Sequence, residues 1–227
     1  MNWSSNLTHD HIISRKWYPN TTPSTVEKWT VPACNECNHR YGVIEQELLI
    51  KMGLCMSSGN PKSSGIAQIA LNSLDPSRAR DERDRTARMK LRKRILGDII
   101  TIRDSISSGF LPNFGPQDGV DYGDHYRMIK IPADLLEELG QKFVRGLTYK
   151  LENARFITQM QSIEIYFAED QKVKWVSNLI KNAGTKVCRG EGIEIERAVG
   201  DLERVGALYR ITIWGRWTIY AAILPKE

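Results

Sequence analysis

The sequence predicts an α+β chain with a small N-terminal module of two strands and a helix, a helical linker, and a C-terminal α+β half with largely antiparallel strands. Three observations carry this expectation. Residues 1–33 are polar and interrupted by Pro19, Pro23 and Pro32, with one short strand candidate at Lys28-Trp29-Thr30-Val31. From Asn35 to about Met52 the apolar residues Tyr41, Ile44, Leu48 and Met52 recur at steps of three and four, the spacing of a helix. Beyond Pro112, alternating apolar runs such as Ile163, Ile165 and Phe167 take over, which is the period of a half-buried strand.

The boundaries drawn from these patterns are 1–54 for the module, 55–111 for a linker with a long basic helix, and 112–227 for the C-terminal domain. Gly53 is the expected stop of the first helix. Ser57 to Gly65 is rich in Ser, Gly, Asn and Pro and reads as linker. Asp75 and Pro76 look like the cap and first position of a second helix. That helix is expected to run to about Ser108 with Leu91, Ile95, Ile99, Ile102 and Ile106 as its buried stripe, with Gly97 as a point of division. The Gly-, Pro- and Asp-rich tract from Pro112 to Asp124 marks the domain boundary. A strand (Arg127–Ile131), a helix striped by Leu136, Leu139, Phe143 and Leu147, the alternating strand, and a helix over Gln171–Asn182 follow. The end reads as a hairpin, Leu208–Trp214 and Trp217–Leu224 around a Gly215-Arg216 turn.

Composition narrows the function classes. No run of eighteen apolar residues occurs, so no membrane-spanning helix is expected. Met1 to Asn6 lacks the basic and apolar regions of a signal peptide, so a cytoplasmic address is expected. The net charge is +5, and it is unevenly placed: Arg78 to Arg94 holds seven arginines and two lysines against three acids, while the remainder is near neutral. A concentrated positive field suits an anionic polymer. Within it, Arg88, Arg92, Lys93 and Arg94 lie beyond the acids Asp81, Glu82 and Asp84 and are the candidate DNA-phosphate contacts. The bland reading is a solvated helix face carrying i, i+3 and i, i+4 ion pairs. The tryptophans, including Trp175, Trp214 and Trp217, read as core.

Two short motifs carry chemistry. The first is Leu7-Thr8-His9-Asp10-His11-Ile12-Ile13 and the second is Val31-Pro32-Ala33-Cys34-Asn35-Glu36-Cys37-Asn38. These motifs resemble those of the HNH endonucleases, and the phosphodiester hydrolysis which that resemblance implies requires an activated water, charge stabilisation on the phosphoryl group and help for the departing 3′ oxygen, the last two served by one divalent cation held by few ligands. Asp10 offers a hard carboxylate oxygen and Asn38 a neutral amide oxygen. His11 offers an imidazole with an ordinary pKa of about 6.5, suited to accept a proton near neutral pH. Adjacent strand residues point to opposite faces, so Asp10 and His11 are expected to share one centre through a bent or irregular backbone. His9 and His39, which flank the motifs, read as exposed or hydrogen-bonded neighbours, and Glu45 and Glu47 as structural.

This motif pair, residues 7 to about 50, resembles the ββα-metal fold of the HNH endonucleases and is similar to their recombination endonuclease VII branch. The resemblance implies a DNA endonuclease using Mg2+ or Mn2+, with His11 as general base and Asp10 and Asn38 as metal ligands, in a bacterial or phage setting. Cys34 and Cys37 would correspond to half of the family's structural zinc site. The chain departs from the pattern by having no second Cys-x-x-Cys before the first strand, which sets zinc below a metal-free knuckle. Cys55 is too far to help, because a helix of about 18 residues is about 27 Å long. Trp29 also stands where the family's middle Asn braces the loop. The alternative function is a non-catalytic DNA- or protein-binding module with Cys34-x-x-Cys37 as a knuckle. The C-terminal domain has no catalytic motif and is a candidate for homodimer or partner contacts.

Overall fold

The structure, a computed structural model, describes residues 7–57, 59–101, 127–167, 170–200 and 206–226. In chain order the elements are β1 (Leu7–His11), β2 (Thr30–Cys34), α1 (Asn35–Gly53), α2 (Ile66–Leu74), α3 (Glu82–Gly97), β3 (Ile99–Thr101), β4 (Arg127–Ile129), α4 (Ala133–Leu151), β5 (Gln161–Tyr166), α5 (Lys172–Ala183), β6 (Thr185–Cys188), β7 (Ile193–Val199), β8 (Ala207–Ile213) and β9 (Trp217–Pro225). The fold is mixed α+β with antiparallel pairing throughout the described strands. β1 pairs with β2, β3 with β4, and the C-terminal strands form one sheet in the order β5-β9-β8-β7-β6. No helix among the described residues is long and apolar enough to cross a membrane.

The sheet is covered on both faces. Ile193, Ile195, Tyr209, Ile211, Ile219 and Ile223 project to one side and join α1 and α4 in the main core. Ala198, Leu208 and Ala222, at the alternate positions, meet Val173, Val176 and Ile180 of α5 on the other. The expected stripe of α4, Leu136, Leu139, Phe143 and Leu147, is fully buried. Its core continues into Ile12, Ile13, Trp17, Ile44 and Leu48, so the N-terminal module and the C-terminal half share one hydrophobic interior.

Trp17 is the hub of that interior. Its ring stacks on Trp214 at 5.1 Å, meets Phe143 edge-on at 6.1 Å and lies 6.0 Å from Trp217. Two of the three indole N–H groups find acceptors, Trp17 donating to the Glu45 carbonyl at 3.3 Å and Trp214 to the Trp17 carbonyl at 2.7 Å, whereas Trp217 Nε1 is buried with no partner among the described residues. Trp214 holds φ at 55°, a conformation costly for a bulky residue, and this aromatic anchoring keeps it there. The β8–β9 turn therefore centres on Trp214 and Gly215, one residue before the expected Gly215-Arg216, with Arg216 N–H bonded to the Ile213 carbonyl at 3.1 Å. Trp175 departs from the core expectation and is 42% exposed on α5.

The middle of the chain corrects the single long helix. Asp75 and Pro76 open only a 3-10 turn, Pro76–Arg78, and the helix proper starts after Asp81, whose side chain accepts from Asp84 N–H at 2.7 Å. It ends at Gly97, and Asp98 turns away to pair with Lys51 at 2.9 Å. Of the stripe, Ile95 is fully buried, Leu91 is half-buried, Ile99 belongs to β3, and Ile102 and Ile106 lie outside the described residues, as does the tract from Pro112 to Asp124. The expected linker contains α2, which packs on α1, Ala70 lying against Gly53.

Two glycines in helices face opposite constraints. A Cβ on Gly146 of α4 would lie 2.8 Å from Ile12 Cγ1, so this glycine lets α4 approach the segment after β1. A Cβ on Gly42 of α1 would meet nothing within 4 Å. Gly42→Ala is expected to stabilise the protein by about 1 kcal/mol through helix propensity. Gly146→Ala is expected to destabilise it by about 1–2 kcal/mol, overpacking outweighing the same propensity gain. Urea unfolding of the two variants checks both signs.

Candidate active site

The candidate residues are carried by β1, β2 and the start of α1. β1 and β2 pair in register with Thr8 opposite Ala33, Asp10 opposite Val31 and His11 opposite Thr30. β2 leads directly into α1, so the hairpin and helix are locked end to end. Cys34 is the N-cap, its Sγ accepting from Cys37 N–H at 3.3 Å. One turn in, Asn38 donates from Nδ2 to Thr8 Oγ1 at 3.1 Å, and Thr8 Oγ1 donates to the Ala33 carbonyl at 3.1 Å. Thr8 and Asp10 are two residues apart on β1 and share the face that α1 covers. The structure thus brings Asp10 and Asn38 to one side of the hairpin.

His11 is not brought to that side. β1 is regularly paired through His11, and the chain bends only afterwards, at Ile12 and Ile13. The expected irregularity thus falls one residue later, and alternation directs the imidazole away from the Thr8–Asp10 face. Its Nδ1 is buried without a hydrogen-bond partner. Burial first, then the Arg15 guanidinium, push the His11 pKa below its ordinary value, against opposing pulls from the Lys28 carbonyl and the Asp10 carboxylate. The ring is therefore neutral at neutral pH.

Asp10 is paired from the distant half of the chain. Lys142 of α4 places Nζ 3.0 Å from Asp10 Oδ2, 2.6 Å from Glu45 Oε1 and 2.9 Å from the His11 carbonyl oxygen. All three side chains are buried, with Lys142 5%, Asp10 7% and Glu45 7% exposed. Desolvation raises the Glu45 pKa to about 6, although the ammonium opposes it. Lys142 and the active participation of Glu45 were not foreseen from sequence. A signal was present: a lysine between Leu139 and Phe143, inside an otherwise apolar stripe, needs a buried partner.

The loop after β1 is held by Trp29. Its carbonyl accepts from Ile12 N–H at 3.0 Å, and the Arg189 guanidinium sits 4.0 Å over its ring. His9 and His39 are exposed.

The donor set fits a hard divalent cation held by few protein oxygens. Asp10 Oδ1 and the Asn38 amide oxygen accept no hydrogen bond among the described residues, and both belong to the face between hairpin and α1. Mg2+ is commonly held by one or two protein oxygens, with water and substrate phosphate completing its shell. Among the described residues no three of His, Cys, Asp and Glu gather as a metal-binding group. Cys34 and Cys37 are free thiols and stand together, their mutual hydrogen bond holding the Cys34 pKa below its ordinary value and the Cys37 pKa above. Two thiolates alone do not fit a four-ligand structural zinc site. Cys55, bonded to the Lys51 carbonyl beyond the far end of α1, joins neither.

The basic segment is only partly available to a polyanion. Arg88 bonds Asp84 Oδ1 at 3.1 Å and the Asn72 carbonyl at 2.7 Å, and Arg94 pairs with Glu47 at 2.9 Å. The Arg88–Asp84 pair is the i, i+4 contact of the bland reading of this segment, whereas the partner of Arg94 lies outside it. The i−4 carboxylate and the neighbouring α1 supply partners that the run Arg88 to Arg94 itself lacks. Arg92 and Lys93 are exposed and form no ion pair among the described residues.

The raised Glu45 pKa makes stability depend on pH. Folded Glu45 binds its proton more tightly than unfolded Glu45, so its contribution is fully present below the ordinary value of 4.5 and lost as pH rises through about 6. The stability of wild type relative to Glu45→Gln should fall by on the order of 2 kcal/mol between those limits and be flat above. Denaturant unfolding of both proteins across this range checks the sign. Comparisons of the chain with protein-family models, curated proteins and solved structures found no match.

Proposed function

We propose that the chain is a metal-dependent endonuclease that hydrolyses DNA phosphodiester bonds, its cation (Mg2+ or Mn2+) held by Asp10 and Asn38. The observation that carries this reading is the delivery of those two oxygens to one face of a β1–β2–α1 unit. Thr8 ties the first turn of α1 to β1 beside Asp10. When bound, the cation supplies charge neutralisation at the phosphoryl group and the departing 3′ oxygen. Asn38 contributes no charge, which keeps the electrophile strong.

His11 is assigned the general base. It is a neutral imidazole next to Asp10, at the last position of β1, where the backbone begins to bend. It takes the proton from the attacking water. Catalytic hydrogen bonds commonly tighten when substrate binds, so its alternation away from Asp10 in the free protein is compatible with the role. Arg92 and Lys93 offer unpaired charge for backbone phosphates, and Arg88 and Arg94 act mainly within the fold. The basic segment joins the site through Arg94 and Glu47 of α1, about 14 Å along the helix from Asn38.

Incubation of supercoiled plasmid with Mg2+, Mn2+ or EDTA tests this. Metal-dependent nicking is expected in wild type. His11→Ala should lower it by about 10²–10⁴-fold, the usual contribution of general base catalysis. Asn38→Ala should abolish it at low metal concentration. Absence of cutting with either metal, while the protein still binds DNA, would replace this reading with a binding module whose Cys34-x-x-Cys37 is a knuckle.

A further inference from the structure

We propose that Lys142 is a positioning residue for the metal ligand Asp10, so that a helix of the C-terminal half completes the N-terminal site. The inference rests on the nuclease reading above. The Lys142 ammonium donates to Glu45 Oε1 at 2.6 Å and to the His11 carbonyl at 2.9 Å, and forms an ion pair with Asp10 Oδ2 at 3.0 Å. The Tyr41 ring closes a further side at 5.3 Å. Nothing about this ammonium is left to water, and its place relative to β1 and α1 is therefore determinate.

The consequence falls on Asp10. With Oδ2 held by Lys142, the carboxylate cannot turn freely about its χ angles, and only Oδ1 remains for another ligand. A cation at this site is thereby restricted to monodentate capture of Asp10, on the face shared with Asn38. The Lys142–His11 carbonyl bond holds the backbone between the ligand and the base as well. Metal ligands are ordinarily oriented by such outer partners, and loss of one commonly weakens metal affinity by about 10–100-fold.

Stability alone does not account for the lysine. A buried ion pair is often replaceable by apolar residues at no loss, and this position lies beside Leu139 and Phe143 in the core-facing stripe. Glu45 has a separate reason to be present. Its charge balances the ammonium, so Lys142 can hold Asp10 without changing the local charge that an incoming cation meets.

The test uses the full chain and Mn2+ titration followed by electron paramagnetic resonance. Lys142→Met alone would leave Glu45 buried and unpaired, so the informative protein is the double variant Glu45→Gln/Lys142→Met, which removes one charge of each sign. Its Mn2+ affinity should be at least 10-fold weaker than wild type. Lys51→Met breaks a different buried ion group, with Glu47 and Asp98, and serves as the structural control. It should leave Mn2+ affinity within about 2-fold even if it lowers the melting temperature more. Unchanged or tighter Mn2+ binding in the double variant overturns the positioning role while the nuclease reading stands. Wild type that binds no Mn2+, or binds it equally well as Asp10→Asn, overturns both.

Discussion

A buried ammonium dictates how the two halves of this chain meet. Removing a charge from water is costly enough that Lys142 can sit in the interior only with its charge paired and hydrogen-bonded. Its partners come from β1 and α1, more than 90 residues away in sequence. Apolar burial supplies the free energy of association between α4 and the N-terminal unit but would tolerate small slides. The ammonium does not tolerate them, and it converts a greasy contact into a registered one. The close approach of Gly146 to Ile12 has the same effect along the helix axis.

The aromatic cluster performs the complementary task at the other end of the contact. Trp17 faces Phe143 from α4 and both tryptophans of the β8–β9 turn, and its polar groups bond Glu45 and Trp214. Glu45 therefore takes part twice, through its carbonyl with Trp17 and its carboxylate with Lys142. The hydrophobic centre and the buried charge network are adjacent parts of one support beneath β1. A site built on such support is held by packing on rigid elements, which is what accurate placement of a ligand pair requires.

The sequence was most legible where periodicity and local chemistry agreed. Tyr41, Ile44, Leu48 and Met52 mark α1, Leu136 to Leu147 marks α4, and the terminal hairpin follows from alternation with Gly215 in its turn. It was least legible where tertiary contacts decide. α3 ends at Gly97, where a glycine offered a division, but the pairing of Asp98 with Lys51 is announced by no local pattern. β6 and β7 escaped notice because Ile193 and Ile195 are flanked by charged residues that pair with other strands and helices, Glu194 with Lys62 and Lys186 among them. For the candidate site, Asp10, Asn38 and the cysteine turn were readable from motif spacing. The partner of Arg94 and the place of Lys142 were not, because each depends on a residue brought in by folding.

The span of the Trp214–Trp17 hydrogen bond, 197 residues, has a consequence for biosynthesis. Chains emerge from the ribosome N-terminus first, and domains ordinarily fold as their residues become available. Here the hairpin bearing the candidate chemistry is made well before the residues that cap Trp17 and close its core. A nascent chain carries the motif long before it carries the walls that orient it. Maturation of the site is thereby coupled to synthesis of β8 and β9, and a chain halted before β8 would expose Trp17 and the apolar side of α4 to chaperones.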